Sequence, residues 1–364
     1  MLLEKIRLVN FRNFNSETCL FPPGGTLLTG SNGSGKTNLL EAIYYSAFYR
    51  SFRDDDSRAL VKKGAESFFI GLNYQTGAIN NELEIIFHSG SGRKIKINNK
   101  KTGYAFQKNH LRVILLSGED LQLVFQPPSR RRRFFDIIMS SLSANFRVNW
   151  LRYSQALKCR NQALKNKTNH AQWDEICIQY GTYIINARLK FISLLRPLMN
   201  ELYARLGGKS GGAQIKYSDA GKNIFYEKSI TEQEYAALLQ TQAKHDFQYG
   251  YTVFGPHRDD FNFQIDSYPL AHYASQGEGR IFIYTLKLAA FQYMKKINSE
   301  YPLLLVDDIF SDLDSERISC IFNYIRTLPQ FILACANISA INRHLAGFHI
   351  YVIKEGTIKH AADA

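Results

Sequence analysis

The sequence predicts an α/β fold in which a mixed sheet and an antiparallel β-meander are interrupted by a helical insertion (a lid or arm). Three observations carry this reading. Near the start, an apolar run (Thr26–Thr29) enters a glycine-rich loop that opens into an apolar-periodic helix. Late in the chain, a second apolar run (Pro302–Val306) ends in two aspartates. Between them, residues Ser129 to Leu206 keep a helical period with a polar, Arg- and Lys-rich face.

Taken in order, Ile6–Asn10 alternates as a strand, Thr26–Thr29 is a short apolar strand, and Thr37–Phe48 places Leu39, Leu40, Ile43, Tyr44 and Ala47 at helical spacing. Three β-like runs follow (Phe68–Tyr74, Leu83–His88, Arg93–Asn98), separated by Gly/Asn/Ser turns as in a meander. Val113–Leu116 is a further strand. The helical stretch closes at the glycines of Gly207–Gly212, and Glu232–Lys244 reads as another helix. Strand texture then returns at Phe261–Ile265, a helix at Gly279–Lys296, and strands at Pro302–Val306, Gln330–Ala336 and Phe348–Ile353. The expected division is residues 1–125 with 250–364 as one lobe, and 126–249 as a mostly helical insertion.

Composition narrows the partner. The chain has 364 residues, with 45 Lys+Arg against 32 Asp+Glu, so its net charge of +13 favours a polyanion. No run approaches the ~18 apolar residues of a membrane span. The opening MLLEKIRLVNF is broken by Glu4, Lys5 and Arg7, so no export signal is expected. Cys19, Cys159, Cys177, Cys320 and Cys335 lack metal or disulfide spacing. A cytoplasmic chain is the expectation, with no membrane partner.

The loop Gly30-Ser31-Asn32-Gly33-Ser34-Gly35-Lys36-Thr37 matches G-x-x-x-x-G-K-[ST] in full. Its glycines let successive backbone N–H groups converge on phosphate oxygens, and the helix that follows adds the positive end of its dipole. Lys36 supplies a cation to the outer phosphates and Thr37 a hydroxyl to Mg²⁺. The expected cofactors are therefore ATP and Mg²⁺.

Leu303–Val306 delivers Asp307 and Asp308 to the C-terminal edge of the sheet, where nucleotides sit in α/β folds. Asp307 fits the metal-holding aspartate, and Asp308 the group that positions the attacking water. An ordinary aspartate, with a pKa near ~3.9, orients water better than it deprotonates it.

Ala274-Ser275-Gln276-Gly277-Glu278-Gly279-Arg280 opens an apolar-periodic helix about thirty residues before the carboxylates. Its serine and glycines make either a plain helix cap or a second anion-binding helix start, which one triphosphate on one chain does not need; Ser275, Gly277 and Glu278 are its candidate nucleotide contacts. The order phosphate loop, Ser275 turn, Asp307/Asp308 and then Ser311-Asp312-Leu313-Asp314 resembles an ABC-type P-loop ATPase head. That resemblance implies an isologous homodimer with two ATPs at the interface, and Asp312 in the loop that crosses to the partner.

More of the chain resembles the RecF family specifically. Leu8–Phe14 is similar to its opening strand, which implies that Arg12 and Asn13 lie close to nucleotide. Asn38 fits after the loop. Leu116–Leu121 resembles its acidic loop, with Gly118 where a proline is usual, and implies that Glu119 senses Mg²⁺ and γ-phosphate. Ser129–Asp136 is similar to the basic start of its helical arm, and Phe254-Gly255-Pro256-His257-Arg258-Asp259-Asp260 to a distinctive family segment. The histidine that many ABC ATPases carry after the strand following the carboxylates is absent from Leu333–Asn337. The resemblance implies a weakly hydrolysing, ATP-dependent DNA-binding dimer in recombinational repair, replication and the SOS response. It implies gapped or single-strand/duplex junction DNA as substrate, and RecO, RecR and RecA as partners.

Arg130, Arg131, Arg132 and Arg133 are the densest basic run and the first candidates for DNA phosphates, although one helix face cannot present all four. Lys158, Arg160, Lys165 and Lys167 are further candidates, and some Tyr and Phe rings can stack on unpaired bases. The His257-Arg258-Asp259 triplet lacks the companions of a kinase site and reads better as a Gly-Pro turn opening a strand. Competing readings are an ABC-type subunit acting on a membrane or protein partner, a structural ATPase with long heptad arms, and an ABC-headed nuclease. The insertion is too short for the second, and no extra acidic cluster is evident for the third.

Overall fold

The structure is a computed structural model and describes residues 1–102, 111–208, 212–219, 224–311 and 313–361. In chain order its strands are β1 (Leu2–Phe11), β2 (Phe14–Leu20), β3 (Gly24–Thr29), β4 (Ser67–Thr76), β5 (Ile79–His88), β6 (Gly92–Ile97), β7 (Lys100–Lys101), β8 (Val113–Ser117), β9 (Ala213–Asp219), β10 (Ile224–Phe225), β11 (Asp260–Ile265), β12 (Tyr268–Pro269), β13 (Leu303–Asp307), β14 (Gln330–Cys335), β15 (His349–Lys354) and β16 (Thr357–His360). The helices are α1 (Lys36–Phe48), α2 (Gln122–Phe125), α3 (Pro128–Leu142), α4 (Ala144–Asn166), α5 (Ala171–Arg205), α6 (Glu232–Thr241), α7 (Ala243–Tyr249), α8 (Leu270–Tyr273), α9 (Gln276–Asn298) and α10 (Ser315–Ile325). They fall into two compact units, one of residues 1–120, 205–207 and 291–364, the other of residues 121–204 and 208–290.

Among the described residues, the first unit holds two six-stranded sheets. One is the antiparallel meander β2-β1-β4-β5-β6-β7; the other has the order β16-β15-β3-β14-β13-β8. In the second, β15, β3, β14, β13 and β8 run parallel and β16 closes the edge antiparallel. Strands β8, β13 and β14 are buried along their whole length, so they read as continuous apolar runs rather than alternations. Helix α1 buries Leu39, Leu40, Ala42, Ile43 and Tyr45, because one core gathers it with Ile6 and Leu8 of β1 and Leu303 and Ile332 of the parallel sheet. Each such Leu or Ile contributes about 1.5–3 kcal/mol by burial. The Gln330 side chain ties β14 to β1, with its Oε1 accepting from Leu3 N at 2.8 Å and its Nε2 donating to Leu3 O at 2.7 Å.

Strand β2 was not evident in the sequence because FNSETCL carries few apolar residues. It forms because Phe11 pairs with Phe14 across a two-residue turn of Arg12 and Asn13, with Arg12 in the left-handed region at φ 52°. That turn places Asn13 against the glycine-rich loop, through Ser34 O, and Arg12 against Glu41 of α1.

The second unit packs α3–α7 with the antiparallel sheet β10-β9-β11-β12. Phe135 of α3 stacks on Phe261 of β11 with centroids 3.8 Å apart. Strand β9 follows the Gly207–Gly212 stretch and pairs residue for residue with β11, Asp260 opposite Ser218 and Ile265 opposite Ala213. This pairing draws residues 250–290 into the second unit, whereas the sequence division grouped them with the ATPase lobe. No helix among the described residues is long and apolar enough to cross a membrane.

Candidate functional site

The loop between β3 and α1 has the backbone its motif requires. Gly30, Gly33 and Gly35 take φ of 144°, 77° and 126°, conformations closed to most side chains. A Cβ on Gly30 would collide with the carbonyl of Ile353, and one on Gly35 would lie 2.8 Å from Asn13 Nδ2. The Lys36 ammonium turns back on the loop and donates to Gly30 O at 2.8 Å and Ser31 O at 2.9 Å. Burial lowers its pKa, opposed by the charges of Asp308 and Asp307. Ser34 Oγ is buried with no hydrogen-bond partner, an orphan at the cradle of the loop. These features fit a bound phosphate chain: a glycine-kinked backbone, a cation held by carbonyls, and an unsatisfied hydroxyl.

The parallel sheet brings the carboxylates to this loop. Thr37 Oγ1 donates to Asp307 Oδ1 at 3.0 Å, joining residues 270 apart in sequence. Asp307 is pushed up to about 6, first by burial; the Thr37 hydrogen bond opposes the shift and Asp308 adds to it. A hydroxyl and a partly desolvated carboxylate at this spacing are suited to sharing a hard divalent cation. Asp308 sits at φ 48°, pinned by its N–H to Ala334 O at 3.0 Å. This left-handed kink turns the chain at the end of β13.

Asp307 lies in register with Ser117 of β8 and with Ala334 of β14, so three strand ends meet here. Asp120 receives Ser117 N at 2.7 Å, and Glu119 is exposed on the short turn Gly118–Leu121. Cys335 closes β14 where a histidine is often found. Its thiol donates to Asn337 O at 3.1 Å and is pushed up to about 11, first by burial and then by Asp308.

Around the loop, Asn13 Nδ2 donates to Ser34 O at 2.7 Å and Asn38 Nδ2 to Asn13 Oδ1 at 2.9 Å. Arg12 is held by protein groups. It donates from Nε and Nη2 to the fully buried Glu41 of α1 at 2.8 Å, from Nη1 to Ala59 O at 2.9 Å, and also pairs with Asp54. The structure thus uses Arg12 to fasten α1 to the segment after it. Sequence reasoning missed Arg53. Its Nη1 donates to Asn38 Oδ1 at 3.1 Å, it lies 3.9 Å from Glu41, and its charge acts on Asp307. It occupies an irregular stretch with no motif, so only the Asn38 contact reveals it.

The Ser275 turn belongs to the second unit. Ser275 Oγ donates to Glu278 Oε2 at 2.9 Å and accepts from Glu278 N at 3.3 Å, and Ser275 N donates to the same carboxylate at 3.0 Å. This reciprocal box caps α9. Ser275 is exposed and Gly277 half-buried at the helix start. Asp314 caps α10 by accepting from Arg317 N at 2.9 Å. Asp312, assigned by the sequence to the nucleotide, lies outside the described residues.

The arginine run divides. Arg131 forms a bidentate pair with Asp260, two contacts of 2.8 Å, and caps the carbonyl of Gln126 at 2.7 Å. Arg132 donates to Asp259 O at 2.6 Å and Arg258 O at 3.1 Å. Both are engaged within the fold, because the start of β11 places the Asp260 carboxylate, and the residues just before it place the Arg258 and Asp259 carbonyls, against α3. Arg133 is half-buried, and Arg130 is exposed. Arg160 is likewise withdrawn: 1% exposed, it pairs with Asp174 and Asp246 at 2.6 Å. Lys158, Lys165 and Lys167 are exposed.

The His257–Asp259 segment is a structural centre of the second unit. His257 Nδ1 meets Tyr153 OH at 2.7 Å, and burial lowers the ring to about 4. Asp259 is fully buried, accepts from the Tyr217 hydroxyl, and is pushed up to about 8 by burial. Arg188 bridges Asp136, Tyr217 OH and Pro256 O.

Comparison with known proteins agrees with this geometry. A family model described as the RecF/RecN/SMC N terminal domain matches residues 2–359. A DNA replication and repair protein RecF of Ruminiclostridium cellulolyticum is 34% identical over 352 residues, covering 93% of each chain. Another, of Clostridium novyi, is 31% identical over 337 residues, covering 91% of this chain and 92% of its own. A solved structure of the recombination mediator protein RecF-ATP in the RecFOR pathway superposes with a TM-score of 0.89 at 27% identity, covering 99% of this chain and 97% of its own. An Smc head bound to the C-winged helix domain of ScpA shares the fold at a TM-score of 0.56 and 13% identity. With an ABC-type ATPase head in its first unit and relatives of this similarity along nearly its whole length, the chain belongs to the RecF family of DNA replication and repair proteins.

Proposed function

We propose that the chain is a cytoplasmic ATP-gated DNA clamp of recombinational repair and replication: a weak Mg²⁺-ATPase that pairs two copies on ATP and releases them on hydrolysis. The observation that carries this reading is the Thr37–Asp307 contact of 3.0 Å beside a fully formed phosphate loop. Backbone amides of residues 30–37 bind the phosphate chain, and Lys36 exchanges the Gly30 and Ser31 carbonyls for its outer oxygens. Thr37 and Asp307 would hold Mg²⁺, which would supply charge stabilisation to the transferring phosphoryl group. Asp308 orients the attacking water and Glu119 senses the metal and γ-phosphate. Asn13 and Asn38 brace the loop, and Arg12 acts from behind it through Glu41.

In this reading Ser275, Gly277 and Glu278, with Asp312, serve the triphosphate on the partner copy. The working ATPase lobe is then residues 1–125 with 250–364, and residues 126–249 are the insertion. The substrate is gapped or single-strand/duplex junction DNA, with RecO and RecR as partners in loading RecA and in the SOS response. RecF relatives and a RecF-ATP structure of the RecFOR pathway support the assignment. The test is DNA binding with and without a non-hydrolysable ATP analogue. Wild type binds more tightly with the analogue and Lys36→Ala does not respond; an unchanged response in Lys36→Ala rejects the gate.

A further inference from the structure

We propose that an exposed aromatic ladder on the second unit is a stacking platform for the unpaired bases of single-stranded DNA. The inference rests on the DNA reading above and names a surface that the reading leaves open. Tyr249 and Tyr251 are 55% and 40% exposed, yet their rings lie nearly parallel with centroids 5.8 Å apart. His245 continues the stack at 6.3 Å from Tyr249, and the Arg258 guanidinium covers Tyr251 at 4.9 Å. Phe247, two residues before Tyr249 on α7, is also 54% exposed, with the Lys167 ammonium 5.7 Å from its ring. Core packing does not account for four exposed rings of this kind, and an exposed aromatic group interleaved with cations matches the two faces of a single strand.

The platform is fixed from below. On the inner side of α7, Asp246 is fully buried against Arg160 at 2.6 Å and accepts from Val253 N at 2.8 Å. Asn161 Oδ1 holds Thr252 by its N–H at 2.8 Å and its hydroxyl at 2.7 Å. The rings therefore stand on a preformed base, so little ordering cost opposes binding. Gly250, between the two tyrosines, takes φ 72° and packs in ordinary contact with α4, where a Cβ would lie 3.6 Å from Lys165 Cα. It thereby joins the ladder to a groove of about 440 Å³ lined by Lys158 and Lys165, a track for the phosphates.

The test compares the full chain with Tyr249→Ala/Tyr251→Ala by fluorescence anisotropy, using a labelled oligo-dT and a blunt duplex at two salt concentrations. Loss of base stacking lowers oligo-dT affinity about tenfold or more and leaves duplex affinity within about twofold. The salt slope of the tyrosine variant stays unchanged, and Tyr249→Phe/Tyr251→Phe keeps oligo-dT affinity. Lys158→Glu/Lys165→Glu instead flattens the slope. Equal losses on both DNAs, or no loss on oligo-dT, overturns the platform. Wild type that binds duplex but not oligo-dT also overturns it while sparing the clamp, and wild type that binds neither removes both.

Discussion

Asp307→Asn separates the cost of the site from its use. Asp307 is 9% exposed and its carboxyl is pushed up to about 6 from an ordinary 3.8. A raised carboxyl stabilises the fold below the unfolded pKa, and that contribution is lost as pH rises through the folded one. In the absence of metal, the charged carboxylate then costs about 3 kcal/mol at pH 8 and about 1.5 kcal/mol at pH 5. Asparagine removes this cost and still accepts from Thr37. The variant is therefore expected to be more stable than wild type without metal, by a margin that roughly halves between pH 8 and pH 5. In the same variant, Mg²⁺-dependent nucleotide binding is lost, because a neutral amide is a poor ligand for a hard cation. Urea unfolding of both proteins in EDTA at the two pH values reads the margin, and titration calorimetry with Mg²⁺-nucleotide reads the binding. A variant less stable than wild type at pH 8, or a margin that grows toward pH 5, refutes the assignment of Asp307 as a desolvated metal ligand.

Other perturbations follow the same logic. Arg131→Ala leaves Asp260 unpaired and destabilises the second unit by about 3 kcal/mol, seen as a lower urea midpoint; Arg130→Ala leaves the midpoint unchanged. If Arg130 meets a phosphate, its alanine variant lowers the salt slope of DNA binding by about one. Arg188→Met leaves Asp136 without its ion-pair partner and costs about 3–5 kcal/mol, whereas nucleotide affinity stays at the wild-type value. Asp259→Asn flattens the pH dependence of unfolding: the stabilisation from a carboxyl raised to about 8 is present below about pH 4 and lost as pH rises through 8.

The nucleotide elements were legible because their chemistry is local. A glycine order, a lysine and a hydroxyl within eight residues specify the loop, and an apolar run fixes β13 with Asp307 at its end. The parallel sheet then had only to bring two strand ends together. What escaped the sequence is what depends on tertiary partners. Nothing near Arg131 and Arg132 in the sequence shows that residues 258–260, more than a hundred positions away, supply them with the Asp260 carboxylate and two carbonyls. Arg160 looks solvated until Asp174 and Asp246 enclose it. Arg12 carries no sign in the sequence that Glu41, one helix away, will claim it. Strand β9 has no flanking signal beyond a glycine cluster, so its pairing with β11 was invisible.

The claim on which the account depends is that each triphosphate is enclosed by the Lys36 loop of one copy and the Ser275 turn of another. Mixing Lys36→Ala with Ser275→Arg measures this directly, since a mixed pair contains one site with both elements intact. ATP hydrolysis absent from either variant alone returns in the mixture if the site is shared. A mixture as inactive as its two components contradicts it.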